Sequence, residues 1–310
     1  MQALVEQLII GLSIGATYAL IALGYTMVYG VLRLINFAHG EVYMVGGISA
    51  YYLALLMMRH DAPPWVRVAI VLLGAMIVCA ALGFCIEYFA YRPLRKRPRL
   101  VVLITAIGVS LLLQNIAQHP KVFGPTPRTL PRLIETRTVI SFHVGNTPSP
   151  ISITNLDLLS LGGSVAVMLL LLWIVMGTRA GLALRAVSYR VDTAALMGVN
   201  TNRIISFTFM LGSALAAVAG VMDAIRYDVK PLMGLMPGLK AFIAAVLGGI
   251  GSIPGALLGG LLLGVIETIA KTRLPSEYKG YADGVAFLVL ILILLLKPSG
   301  LLGATTAEKV

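Results

Sequence analysis

Long apolar runs broken by short polar segments constrain this chain more than any other feature. They are Leu8–Val31, Val42–Met58, Val68–Tyr91, Leu100–Ala117, Leu161–Met176, Ile204–Ile225, an interrupted run from Ala241 to Ala270, and Val285–Leu296. A helix needs about 20 apolar residues to cross the hydrocarbon core. Inside lipid every backbone N–H and C=O must be satisfied within the protein, and continuous runs of this length do so as helices. The 310 residues are 58% hydrophobic and 12% charged, whereas soluble domains run about 45–50% and about 25%. The expected fold is an all-α polytopic integral membrane protein. Roughly eight transmembrane helices, with broken or re-entrant segments, form one domain over residues 1–310. The N-terminus has no basic n-region and no small-residue cleavage site, so no cleaved signal peptide is expected.

The net charge of +11 does not point to nucleic acid in such a chain. It points to basic loops that set topology against the lipid bilayer. Arg92, Arg95, Lys96, Arg97 and Arg99 form one tight cluster without an acid. The positive-inside rule puts that loop in the cytoplasm. Residues 118–160 then form an extracytoplasmic loop, and Thr178–Arg203 returns to the cytoplasm. Arg226–Lys240 is an outside loop, and the tail Lys297–Val310 is cytoplasmic. Cys79 and Cys85 lie in one apolar run and read as small apolar fillers, without a disulfide or metal.

Thr178–Arg203 is unusual for a connector. Leu184, Val187, Val191, Ala195 and Gly198 step by three or four, which places them on one helix face. Arg185, Tyr189, Asp192 and Thr193 fall largely elsewhere. Arg179, Arg185, Arg190 and Arg203 outweigh Asp192. Two readings fit a basic amphipathic helix here: docking of a cytoplasmic partner, or rest on anionic lipid heads.

Two interruptions echo each other. Ile35–Gly40 is followed by Gly46-Gly47, and Ile250–Gly255 by Gly259-Gly260. Paired Gly/Pro-interrupted segments in two halves indicate internal repeats around a transport path. Simple glycine packing between helices is the alternative. Asn36, His39, Gly40 and Glu41 at the first break, with Gly251, Ser252 and Gly255 at the second, are the candidate path residues. A charge at the bilayer centre costs about 2.5–3.5 kcal/mol on insertion scales, so Glu41 faces a cavity or lies at the interface. His39 has no second ligand at metal spacing. Glu87 is expected to pair with Arg92 at the membrane rim, and Asp223 with Arg226. Glu267 reads the same way, near a helix end.

No GxxxxGK[ST] or HExxH motif occurs, so nucleotide hydrolysis in the P-loop manner and zinc-protease chemistry are not expected on this chain. Any energy for active transport must come from elsewhere.

Gly24–Gly30 (GYTMVYG), Ile35–Glu41 (INFAHGE), Leu247–Gly255 (LGGIGSIPG) and Ala194–Ile204 (AALMGVNTNRI) resemble the bacterial branched-chain amino acid ABC transporter permeases of the LivH type. The resemblance runs from the first span to Gly303. It implies a non-catalytic permease subunit in the inner membrane that imports leucine, isoleucine and valine. It implies a LivM-like second permease, two LivG/LivF-like ATPase subunits that carry ATP and Mg, and a periplasmic amino-acid-binding protein. No cofactor is expected on this chain. The resemblance also implies that Arg185, Tyr189, Arg190, Asp192, Ala194, Ala195, Gly198 and Asn200 belong to an ATPase-docking helix. Looser relatives import urea or short amides. A passive channel or secondary carrier is the alternative of another class.

Overall fold

The computed structural model describes residues 2–95, 97–142 and 151–303. In chain order the elements are α1 (Gln2–Leu32), α2 (His39–Met57), α3 (Pro64–Cys85), α4 (Arg99–Gln118), β1 (Thr138–Phe142), β2 (Ile151–Thr154), α5 (Asn155–Gly177), α6 (Arg179–Tyr189), α7 (Val191–Leu196), α8 (Thr201–Arg226), α9 (Leu235–Gly248), α10 (Ile253–Arg273) and α11 (Ala282–Leu296). A π turn (Ile86–Tyr91) and a 3-10 turn (Arg92–Leu94) prolong α3. Among the described residues seven helices are long and apolar enough to cross a membrane: α1, α2, α3 with its extension, α4, α5, α8 and α10. α9 and α11 are shorter apolar helices. The expectation of roughly eight spans thus resolves into seven long and two short helices. Within the 118–160 segment β1 and β2 pair antiparallel, a small hairpin that the sequence pattern did not foretell. Residues 143–150 and the tail beyond Gly303 lie outside the described residues.

Turn residues in the sequence become helix starts. Pro64 opens α3 at its first position, where its missing N–H is harmless. Thr154 and Asp157 form a capping box on α5, and Thr178, Asn200 and Ser252 cap α6, α8 and α10 through their side chains. Each satisfies a backbone N–H that the first turn leaves free.

The centre is built by small residues. Gly11 and Gly15 of α1 lie against Val265 and Leu261 of α10, and Gly264 lies against the backbone of Gly15. Gly24 meets Gly212 of α8, and Gly46 of α2 meets Ala217. Such contacts let backbones approach closely, which drives helix association where lipid removes the hydrophobic term. α4, α5 and α11 flank this centre and leave Ile104, Leu112, Trp173 and Leu295 exposed.

Buried charges tie the elements together. Glu87 accepts from Arg92 at 2.9 Å, from Arg95, and from Ser206 of α8 at 2.6 Å. The expected Glu87–Arg92 pair is present, and it is a joint between α3 and α8. Asp223 does not pair with Arg226. It accepts from the Tyr43 hydroxyl at 2.5 Å and the Thr17 hydroxyl at 3.4 Å, while Arg226 donates to Asp157 at 2.8 Å. Lys240 is likewise no loop residue. It lies in α9, buried, with Nζ 2.8 Å from Glu267 and 2.8 Å from Asp283. The Tyr18 hydroxyl donates to Glu267 at 2.8 Å, and Lys271 pairs with the same carboxylate. Glu267 is therefore a buried hub of α1, α9 and α10, not a rim residue.

Candidate functional site

The first break is a genuine re-entry. α1 ends at Leu32, and Arg33 takes a left-handed backbone with φ 52°. The chain then doubles back, so that His39, the first residue of α2, lies beside Gly24 in the C-terminal half of α1. Asn36 holds the turn: its Oδ1 accepts from the Ala38 N–H at 3.1 Å and the Tyr91 hydroxyl at 3.0 Å. The His39 ring packs edge-on to Tyr25, with centroids 4.7 Å apart. Gly40 abuts Gly234 and Gly238, where a Cβ would strike backbone. These three residues shape the turn.

Glu41 differs. It is 1% exposed. Its Oε1 accepts from Gln114 Nε2 at 2.7 Å and from the Ser110 hydroxyl at 3.3 Å. Its Oε2 has no hydrogen-bond partner among the described residues. The side chain lines a cavity of about 300 Å³ between α1, the turn, α2, α4 and α9. Sequence reasoning missed Ser110 and Gln114. Their spacing of four puts both on one face of α4, and that polar pair in an apolar run was the available signal.

The second break lies elsewhere. Gly251 adopts φ 95°, Ser252 Oγ accepts from the Gly255 N–H at 3.2 Å, and Gly255 packs against Gly248. Gly251 and Ser252 line a different cavity of about 270 Å³ with Thr26, Gly30, Arg185 and Ser188. The two breaks line different cavities. Their local sequences are alike, but the first packs on Gly24 and Tyr25 of α1, and the second faces Thr26 and Gly30 of α1 and Arg185 of α6.

Thr178–Arg203 is two helices, not one. The chain turns at Arg190, which is extended (φ −152°, ψ 112°), and again at Gly198, whose φ of 83° is left-handed and suits a residue without a Cβ. Leu184 and Val187 are buried as the spacing predicts. After the break the face rotates. Ala194 is buried, while Val191 and Ala195 are exposed. Arg190, Asp192, Gly198 and Asn200 are exposed too, and Asn200 caps α8 by accepting from the Arg203 N–H at 3.1 Å. Arg185 reaches back to the Met176 carbonyl at 3.5 Å. The most exposed large side chains here are Tyr189 (81%), Leu196 (88%) and Met197 (81%). Leu196 and Met197 were not among the sequence candidates, because a single-helix reading gives no reason to expose them. This knuckle sits at the end of the molecule that carries Arg92 and Arg95, since Arg95 donates to Asn202 at 2.7 Å.

Among the described residues no group of three His, Cys, Asp or Glu could hold a metal ion. The sequence profile of the family described as branched-chain amino acid transport system, permease component, matches residues 7–294. The chain belongs to that permease family. The permease is 45% identical to the high-affinity branched-chain amino acid transport system permease protein LivH of Escherichia coli K12, over 98% of this chain and 97% of that protein. It is 44% identical to BraD of Pseudomonas aeruginosa, described in the same words, over 98% and 97%. It is 28% identical to a probable LivH of Methanocaldococcus jannaschii over 92% and 88%. Among solved structures, PsaBC from Streptococcus pneumoniae in complex with Fab is similar at 15% identity with a TM-score of 0.45, covering 96% of this chain and 91% of that one. The permease is a multi-pass membrane protein, and its transport role comes with the family.

Proposed function

We propose that the permease imports leucine, isoleucine and valine as one of two permease subunits of an ATP-driven inner-membrane importer. The observation that carries this reading is the 45% identity to LivH along the whole chain. A periplasmic binding protein supplies the amino acid. Two cytoplasmic ATPases bind ATP and Mg and hydrolyse the nucleotide, and the permease itself catalyses no reaction. The end bearing Arg92 and Arg95 faces the cytoplasm, because basic loops are retained there.

The exposed knuckle of Tyr189, Leu196 and Met197 supports an ATPase-docking role for α6 and α7. Exposed apolar side chains on a basic cytoplasmic segment gain by burial in a partner groove. Gly181 supplies the rigid link, since a Cβ there would strike the Ile174 and Val175 carbonyls. α6 therefore moves with α5. It also packs on α1 and α8, so a displacement of the knuckle reaches the wall of the Glu41 cavity through α1.

The test is uptake by proteoliposomes holding this permease with its second permease, ATPases and binding protein. Leucine uptake that requires ATP is expected. Uptake without ATP or ATPase would identify a passive channel or carrier, and uptake of urea in place of leucine an amide importer. Leu196→Asp with Met197→Asp should cut ATPase co-purification and uptake at least about tenfold, as for loss of an apolar hot spot. Unchanged co-purification would return the knuckle to a lipid-surface role.

A further inference from the structure

Among the described residues the buried glutamates are Glu41, Glu87 and Glu267. Glu87 meets two arginines, and Glu267 meets two lysines. Glu41 forms no ion pair with any described cation, and only its Oε1 is hydrogen-bonded. A carboxylate oxygen without a donor in a buried site is costly to leave. Among the described residues no lysine or arginine lines the cavity beside it. Phe37, Ile107, Leu111, Leu235 and Leu239 form apolar walls around it. Its volume of about 300 Å³ is at the small end for ligand sites. Ile107, Leu111 and Leu235 are also exposed on the outside of the helix cluster, so the cavity opens between α4 and α9. Oε2 lies against Gly234 with almost no surface of its own, so a turn of the Glu41 side chain presents its acceptor capacity and negative charge to the cavity, and the walls offer room for a branched aliphatic chain.

We infer that Glu41 is a substrate-binding residue that receives the ammonium group of the amino acid in transit, with Gln114 and Ser110 orienting the carboxylate and the apolar wall taking the side chain. An ammonium carries three N–H donors and a positive charge, which is the complement of what Oε2 lacks. The amine is the handle. The ligand's own carboxylate meets no cation in this cavity. This assignment deepens the importer reading above and rests on it.

The experiment uses the assembled transporter and a diazirine analogue of leucine. In the wild type, light should attach the probe to the α4 peptide containing Ile107–Gln114. Leucinamide, which keeps the amine, should compete. 4-Methyl-2-oxopentanoate, which lacks it, should not. Glu41→Gln should label at least about tenfold less, the scale of a lost charge-assisted hydrogen bond, with ATPase co-purification unchanged. Glu41→Asp should retain most of the labelling and so exclude a folding failure. Equal labelling of Glu41→Gln, competition by the oxo acid, or no labelling of α4 in a transporter that takes up leucine would each overturn the assignment. A wild-type complex that takes up no leucine would instead sink the importer reading beneath it.

Discussion

Glu267→Ala is expected to destabilise the permease by about 3–5 kcal/mol, because it strips the main partner from a buried lysine. Lys240 would keep only Asp283 as a charged partner, which is 38% exposed, beside the Tyr18 hydroxyl at 3.5 Å, and Tyr18 would lose its acceptor. The change should lower the thermal midpoint in detergent by about 6–10 °C, at about 2 °C per kcal/mol for a chain of this size. Cys79 is buried and free while Cys85 is free and exposed, so in a Cys85→Ser background a thiol-reactive fluorophore reports the unfolding. Glu267→Gln should be milder, since an amide still accepts from Lys240. A midpoint within about 2 °C of wild type would mean that the cluster is solvated in the membrane and holds nothing together.

The second large effect belongs to Gly264→Leu. A Cβ at this position would collide with the backbone of Gly15 and the Gly11 carbonyl. Backbone cannot yield as a side-chain tip can, so the α1–α10 seam must open. Overpacking a tight site costs about 1–3 kcal/mol and more where nothing can shift. Here the expectation is loss of monodisperse protein on size exclusion. Gly264→Ala should be intermediate. Gly162 in α5 has nothing within 4 Å of its would-be Cβ, so Gly162→Ala should be neutral or slightly stabilising. If Gly264→Leu behaved like Gly162→Ala, the seam would be looser than the interatomic contacts indicate.

The apolar runs were legible because a bilayer fixes both the length and the polarity of a span. The Glu87–Arg92 pair was legible because its partners lie five residues apart. Lys240 was not. Pro231 and Pro237 read as loop, yet Pro237 falls in the first turn of α9, where a helix needs no N–H from it. Its partners Glu267 and Asp283 come from other helices, so local sequence gave no hint of a buried cluster. The two Gly breaks were seen correctly as breaks. Their depth was not readable, because depth depends on contacts such as His39 with Gly24 and Gly251 with the surroundings of Arg185. In the docking segment, periodicity held through Val187 and failed at Arg190. No residue type there forces the extended backbone, and only Gly198 announced a turn.

The α1–α10 seam also dictates an order of events during synthesis. Tyr18 and Glu267 are 249 positions apart. Chains are made N-terminus first at about 5–20 residues per second, so α1 enters the membrane well before its main partner exists. Through that interval its glycine face, with Thr17 and Tyr18, must be covered by lipid or by an insertion chaperone. A ribosome that stops before α10 leaves this face open and Lys240 without Glu267. The last third of the message thus supplies the helix that covers the glycine face of the first.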